Sequence, residues 1–95
     1  MFNYASSFNG DIGSWDVGNV TDMSNMFWNA SSFNQDIGGW DVSSVTDMSR
    51  MFFYASDFNQ DLSGWRVSTF SSQPYGFDYM ASSWILPRPV WGTCP

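Results

Sequence analysis

A 25-residue unit recurs three times in this chain of 95 residues. Residues 1–25 read MFNYASSFNGDIGSWDVGNVTDMSN, residues 26–50 read MFWNASSFNQDIGGWDVSSVTDMSR, and residues 51–75 read MFFYASDFNQDLSGWRVSTFSSQPY. The first two agree at 18 of 25 positions without a gap, and the second and third at 12 of 25, the divergence being concentrated after Trp65. The pattern returns once more, one residue late, as Ala81-Ser82-Ser83-Trp84 against Ala30-Ser31-Ser32-Phe33. A unit this short cannot bury an apolar face alone, so its copies must stack on one another.

A period of 25 lies within the roughly 20–29 residues of leucine-rich repeats, which hold one short strand and one helical or irregular return per unit. Val20, Met23, Met26, Phe27 and Ala30 share one helical face, and Val45, Met48, Met51, Phe52 and Ala55 repeat it. Ser44-Val45-Thr46-Asp47 and Asn19-Val20-Thr21-Asp22 have the shape of helix N-caps with an acid three residues on. Residues 33–37, with Phe33 and Ile37 on one face, read as a strand between Ser and Gly pairs, as do residues 8–12 and 58–62. The expected fold is therefore α/β: a short leucine-rich-repeat-like solenoid with parallel strands about 4.8 Å apart and one helix per repeat. Stacking would align columns Phe8/Phe33/Phe58, Trp15/Trp40/Trp65, Asn9/Asn34/Asn59 and Asp11/Asp36/Asp61. Independent helical hairpins are the other architecture, but the Gly and Ser pairs around each FNQDI segment break helices. The repeats occupy residues 1–76 (1–25, 26–50, 51–76), and residues 77–95 form a divergent C-terminal cap. Pro74 stops the third helical pattern, and Gln73 takes the place of the core Met.

Charge and residue types narrow the function. The acids are nine Asp and the bases three Arg, with no Lys, Glu or His, for a net charge of −6. Such a surface does not suit nucleic acid, which binds cationic proteins. Without His there is no Ser-His-Asp arrangement and no His-based zinc site. No glycine-rich phosphate loop precedes a helix, and pairs of Asp alone are slight grounds for a glycosidase. No cofactor is called for. No apolar run approaches the roughly 20 residues of a membrane span, so no membrane insertion is expected. The start does not read as a signal peptide. Met1 aligns with Met26 and Met51, so it reads as a repeat residue in an excerpt of something longer.

The motif MFxxASSFNQDIxxWDVSxVTDMS, over roughly residues 1–70, resembles the repeat of the BspA-like leucine-rich-repeat surface proteins. That resemblance implies a solenoid, an extracellular or cell-surface address, and adhesive or structural roles without catalytic residues.

Candidate sites follow from the repeat. Asp11, Asp36 and Asp61 would stack as like charges, which a calcium ion can bridge; isolated acids read better as a hydrated ridge, with no metal site. Asp41 and Arg66 would pair on the surface. Asn29 and Asn19 head glycosylation sequons. Trp28 and Phe53 fall about 140° from the centre of the helical core stripe, where a protein contact, sugar stacking or self-association would use them. Phe2, Phe8 and Trp15 at the first repeat, and Phe77, Trp84 and Trp91 in the cap, complete a candidate assembly interface. Cys94, the lone cysteine, is a candidate for an intermolecular disulfide. The expected function is a non-enzymatic extracellular structural protein that assembles head to tail through its solenoid ends. The alternative is an adhesion module that binds glycans or surface proteins on a concave sheet.

Overall fold

The computed structural model describes residues 4–93. Within them the chain winds into stacked coils made of turns, with neither helix nor sheet; the one strand-like pairing is an isolated parallel bridge between Asp22 and Asp47. The expected α/β fold, with its helix and strand in each repeat, is thus incorrect.

The apolar residues spaced by three are corners of successive turns. The N–H of Ala30 donates to the carbonyl of Phe27, Phe33 to Ala30, Trp40 to Ile37, Val45 to Val42 and Met51 to Met48, at 3.0–3.2 Å. All of these residues are buried. A three-residue turn carried from one inward residue to the next reproduces the spacing of a helical face, which is why the pattern reads as helix. Two observations separate them. Asn25, Asn29, Arg50 and Tyr54 have φ of 55–60°, a left-handed conformation that a right-handed helix cannot contain. The N–H groups of Met23, Asn25, Phe27 and Asn29 also reach out of their own coil, to the carbonyls of Asp47, Ser49, Met51 and Phe53 at 2.8–3.0 Å. Arg50, Phe52 and Tyr54 continue this wall to Tyr75, Phe77 and Tyr79 at 2.8–2.9 Å.

The segments expected to be strands are joined by side chains. Asn9 Oδ1 accepts the N–H of Asn34 at 2.8 Å, Asn34 Oδ1 that of Asn59 at 2.9 Å, and Asn59 Oδ1 those of Ile85 and Leu86 at 2.9 and 3.0 Å. Gln35 and Gln60 donate their amides to the same oxygens of Asn9 and Asn34. An amide oxygen thus takes the place of the ladder carbonyl, and no regular sheet forms. The indole N–H groups link coils in the same way: Trp40 donates to the carbonyl of Ile12, Trp65 to that of Ile37, both at 3.0 Å, and Trp84 to that of Gln60 at 2.9 Å. Gly38 lies where coils nearly touch, since a Cβ there would stand 2.8 Å from the carbonyl oxygen of Asp61.

The core is a double file of phenyl rings. Phe8, Phe33 and Phe58 stack at 5.8 Å between neighbours, within 8° of parallel. Phe27 and Phe52 stack beside them at 5.4 Å. The files end where Phe77 and Trp84 meet Phe52 edge-on, at 79° and 73°. Phe77, Ala81 and Trp84 belong to the same core as the repeats, so packing runs unbroken past residue 76. The one-residue insertion falls between Phe70 and Pro74. The N–H of Phe77 bonds the Pro74 carbonyl as that of Met51 bonds the Met48 carbonyl, so Pro74, not Gln73, stands where the core Met would be.

Two outcomes check this architecture. Far-ultraviolet circular dichroism of the folded chain should lack the helical double minimum. Trp65→Ala, which empties a fully buried site and leaves the Ile37 carbonyl without its indole donor, should cost about 3–5 kcal/mol in denaturant unfolding.

Candidate functional site

The repeat acids are turn-formers. Asp11, Asp16 and Asp36 accept the N–H of Gly13, Gly18 and Gly38, two residues on, at 3.0–3.2 Å. Asp22, Asp41, Asp47 and Asp61 accept both the N–H and the hydroxyl of Ser24, Ser43, Ser49 and Ser63. These are Asx turns, and at Asp22 and Asp47 they replace the expected role of an acid in the first turn of a helix capped by Asn19 or Ser44. Each carboxylate is thereby satisfied locally, in solvent. Among the described residues no group of three or more His, Cys, Asp or Glu is placed to hold a metal ion. The Ser hydroxyl and N–H donors hold Asp22, Asp41 and Asp61 below the usual carboxylate range. Arg66 adds a smaller share at Asp41 but is not within ion-pair distance of it; among the described residues the ion pair is Arg88–Asp78, at 3.0 Å. Asp78 also accepts an amide N–H of Gln73, and the Arg88 guanidinium lies over the Trp84 ring at 4.6 Å.

The structure disperses the candidate interface residues. Phe77 and Trp84 are buried in the chain's own core and offer no contact surface. Trp91 is half-buried against Phe70 and Phe77, at 5.5 and 4.9 Å. Phe8 packs on the core, while Phe2 and Cys94 lie outside the described residues. Asn19 is exposed beside the Val17–Val20 turn, and Asn29 is half-buried in the coil wall, its own N–H bonded to Phe53. Among the described residues there is no sheet, so the concave sheet expected as an adhesive face is not found there.

Two surfaces remain. The first is the outward face of the first coil. Trp15 is 45% exposed, whereas its equivalents Trp40 and Trp65 are 4% and 0% exposed. Val20 is 37% exposed and Val45 0%. Trp15, Val17, Val20, Met23 and Met26 line a cleft of about 250 Å³ there. The second is the outer wall, where Trp28 meets Phe53 at 5.7 Å and Phe53 meets Tyr79 at 5.0 Å. Neither aromatic stands isolated on solvent; both are half-buried among other rings. Tyr54, Tyr75 and Tyr79 border this wall; of these Tyr75 and Tyr79 were not singled out from the repeat, and the signal for them was Tyr75-Gly76 at the insertion, the point where repetition fails. Val20, assigned to the core by its spacing, and Ile85, 83% exposed, were also missed as surface residues.

Stacked coils with an apolar end face and an aromatic outer wall define a repeat protein. The chain belongs to the family described as "Mycoplasma protein of unknown function, DUF285", which it matches over residues 1–84. The match takes in all three repeats and reaches Trp84, the last ring of the core. No curated protein and no solved structure matches the chain. No helix among the described residues is long and apolar enough to cross a membrane.

The lowered acids carry a pH dependence. A carboxyl whose pKa is depressed by folding contributes stability above its unfolded value, about 3.9, and loses it as pH falls through the folded value. Stability should therefore decline below that range. The triple variant Ser24→Ala, Ser43→Ala, Ser63→Ala should show a smaller difference in melting temperature between neutral and strongly acidic buffer than the parent.

Proposed function

We propose that the chain is a non-enzymatic, extracellular structural repeat protein that acts by assembly, one coil face seated on another. The observation that carries this reading is the exposure of Trp15 and Val20 on a face whose equivalents one coil further on are covered. The contact between layers recurs within the chain, and its chemistry is apolar corners, indole N–H to carbonyl, and Asn oxygen to N–H. The occupant this face fits is another coil, which in a solution of this chain is a second copy. The last layer supplies a partner surface through Met80, Ile85, Leu86 and Val90, all exposed. Unlike ends that bind each other make a heterologous contact, which propagates when it does not close. Sugar on Asn29 or Asn19 would sit on the walls.

The finer kinship, to BspA-like surface proteins, belongs to this proposal. It is supported by the WDVSxVTDM core of the repeat, and the extracellular address rests on that kinship.

Sedimentation equilibrium tests the assembly. The chain should associate with rising concentration, more strongly in added salt, which screens its −6 charge. Trp15→Asp and Ile85→Asp, both at exposed positions, should each abolish association while leaving the melt cooperative. A monomer at every concentration overturns the proposal. Association that survives Ile85→Asp overturns its head-to-tail form.

A further inference from the structure

The outer wall opens into a cleft at its C-terminal end that the assembly reading does not use. Phe53, Tyr54, Tyr75, Gly76 and Tyr79 line a space of about 580 Å³, within the size range of small-ligand pockets. Its origin lies in the repeat. The left-handed position filled by Asn25 and Arg50 in the earlier coils is Gly76 here, with φ 63°. A Cβ at Gly76 would lie 3.2 Å from both the Phe53 ring and the Arg50 side chain. Absence of that side chain leaves the Phe53 ring accessible as a floor. The inserted residue places Tyr75, the most exposed tyrosine, opposite.

The rings meet at angles: Tyr54 lies 87° from Tyr79 and 71° from Phe53. They form walls rather than one plate. The hydroxyls of Tyr54, Tyr75 and Tyr79 make no hydrogen bond to any protein group among the described residues. The cleft therefore combines apolar ring faces with uncommitted phenolic donors and acceptors. The Arg50 guanidinium lies over the Tyr75 ring at 4.9 Å, so a cation already occupies one ring face and works against a cationic ligand. Net negative charge works against an anionic one. The ligand class left is neutral, with an apolar face and a hydroxyl rim.

We infer that this cleft is a binding site for neutral glycans, with pyranose rings stacked on Phe53, Tyr54, Tyr75 and Tyr79. The wall also carries a line of rings at coil spacing, from Tyr4 through Trp28 and Phe53 to Tyr79, with steps of 5.4, 5.7 and 5.0 Å. An extended pyranose chain repeats on that scale. A proline-rich peptide, which also docks on aromatic grooves, repeats at about 9 Å per turn and fits the line poorly.

The test is retention of the intact chain on cellulose, chitin and cross-linked dextran, followed by titration with a soluble hexaose of the retained polymer, read by aromatic fluorescence. Saturable binding to at least one is expected. It should weaken about tenfold or more in Tyr54→Ala and Tyr79→Ala. Tyr75→Ala, at the most exposed ring and so least able to disturb folding, should weaken it likewise with an unchanged melt. Retention by none of the three polymers overturns the inference. So does binding that is equal in the parent and Tyr75→Ala, or a polyproline peptide that titrates the cleft while no glycan does.

Discussion

Hydrogen bonding between coils is the constraint from which the rest of the structure follows. Met23, Asn25, Phe27 and Asn29 send their N–H groups to the next coil instead of back along their own. Alternate residues must then face the neighbour, and the intervening N–H groups of Met26, Trp28 and Ala30 close local turns. That alternation requires left-handed φ at Asn25 and Asn29. It also holds successive coils close enough for rings at equivalent positions to stack at 5.4–5.8 Å. Wall, corners and core are three aspects of one spacing.

The same constraint explains what the sequence made legible and what it concealed. The period, the columns Phe8/Phe33/Phe58 and Asn9/Asn34/Asn59, and the burial of Met23, Phe27, Ala30 and Val45 follow from repetition alone, because equivalent residues must occupy equivalent places. Secondary structure did not follow. A file of three-residue turns and a helix bury the same residues, and only the destination of the N–H groups differs. Asn25 and Asn29 hinted at left-handed geometry, but Arg50 and Tyr54 at the same positions did not. The FNQDI segment looked extended, yet its polar Asn is what links the coils. At the candidate site, the end-face residue Trp15 was legible as the first of its column. The cleft was not, because it arises where Tyr75 and Gly76 break the repeat, and a periodic reading discounts departures from the period.

Acidic residues illustrate how far composition can mislead about chemistry. Nine Asp, seven of them in aligned columns, suggest a metal site or a catalytic pair. Seven of them instead accept a donor two residues on. They turn the chain at the coil corners and leave a hydrated, anionic surface. The partly exposed aromatic residues lie elsewhere, with Trp15 on an end face and Tyr4, Trp28, Phe53 and Tyr79 following one another along one wall.

The single extra residue between Phe70 and Pro74 has a consequence for heredity. It is absorbed at a corner, and the wall bonds resume at Arg50–Tyr75, Phe52–Phe77 and Tyr54–Tyr79. A duplication or deletion of one whole coil keeps the columns Phe8/Phe33/Phe58 and Asn9/Asn34/Asn59 in register, since those positions carry the same residue in every coil. Any other change of length must find a corner that can bulge. A gene of this kind can therefore lengthen or shorten in whole coils by recombination between its own repeats, without first acquiring compensating substitutions.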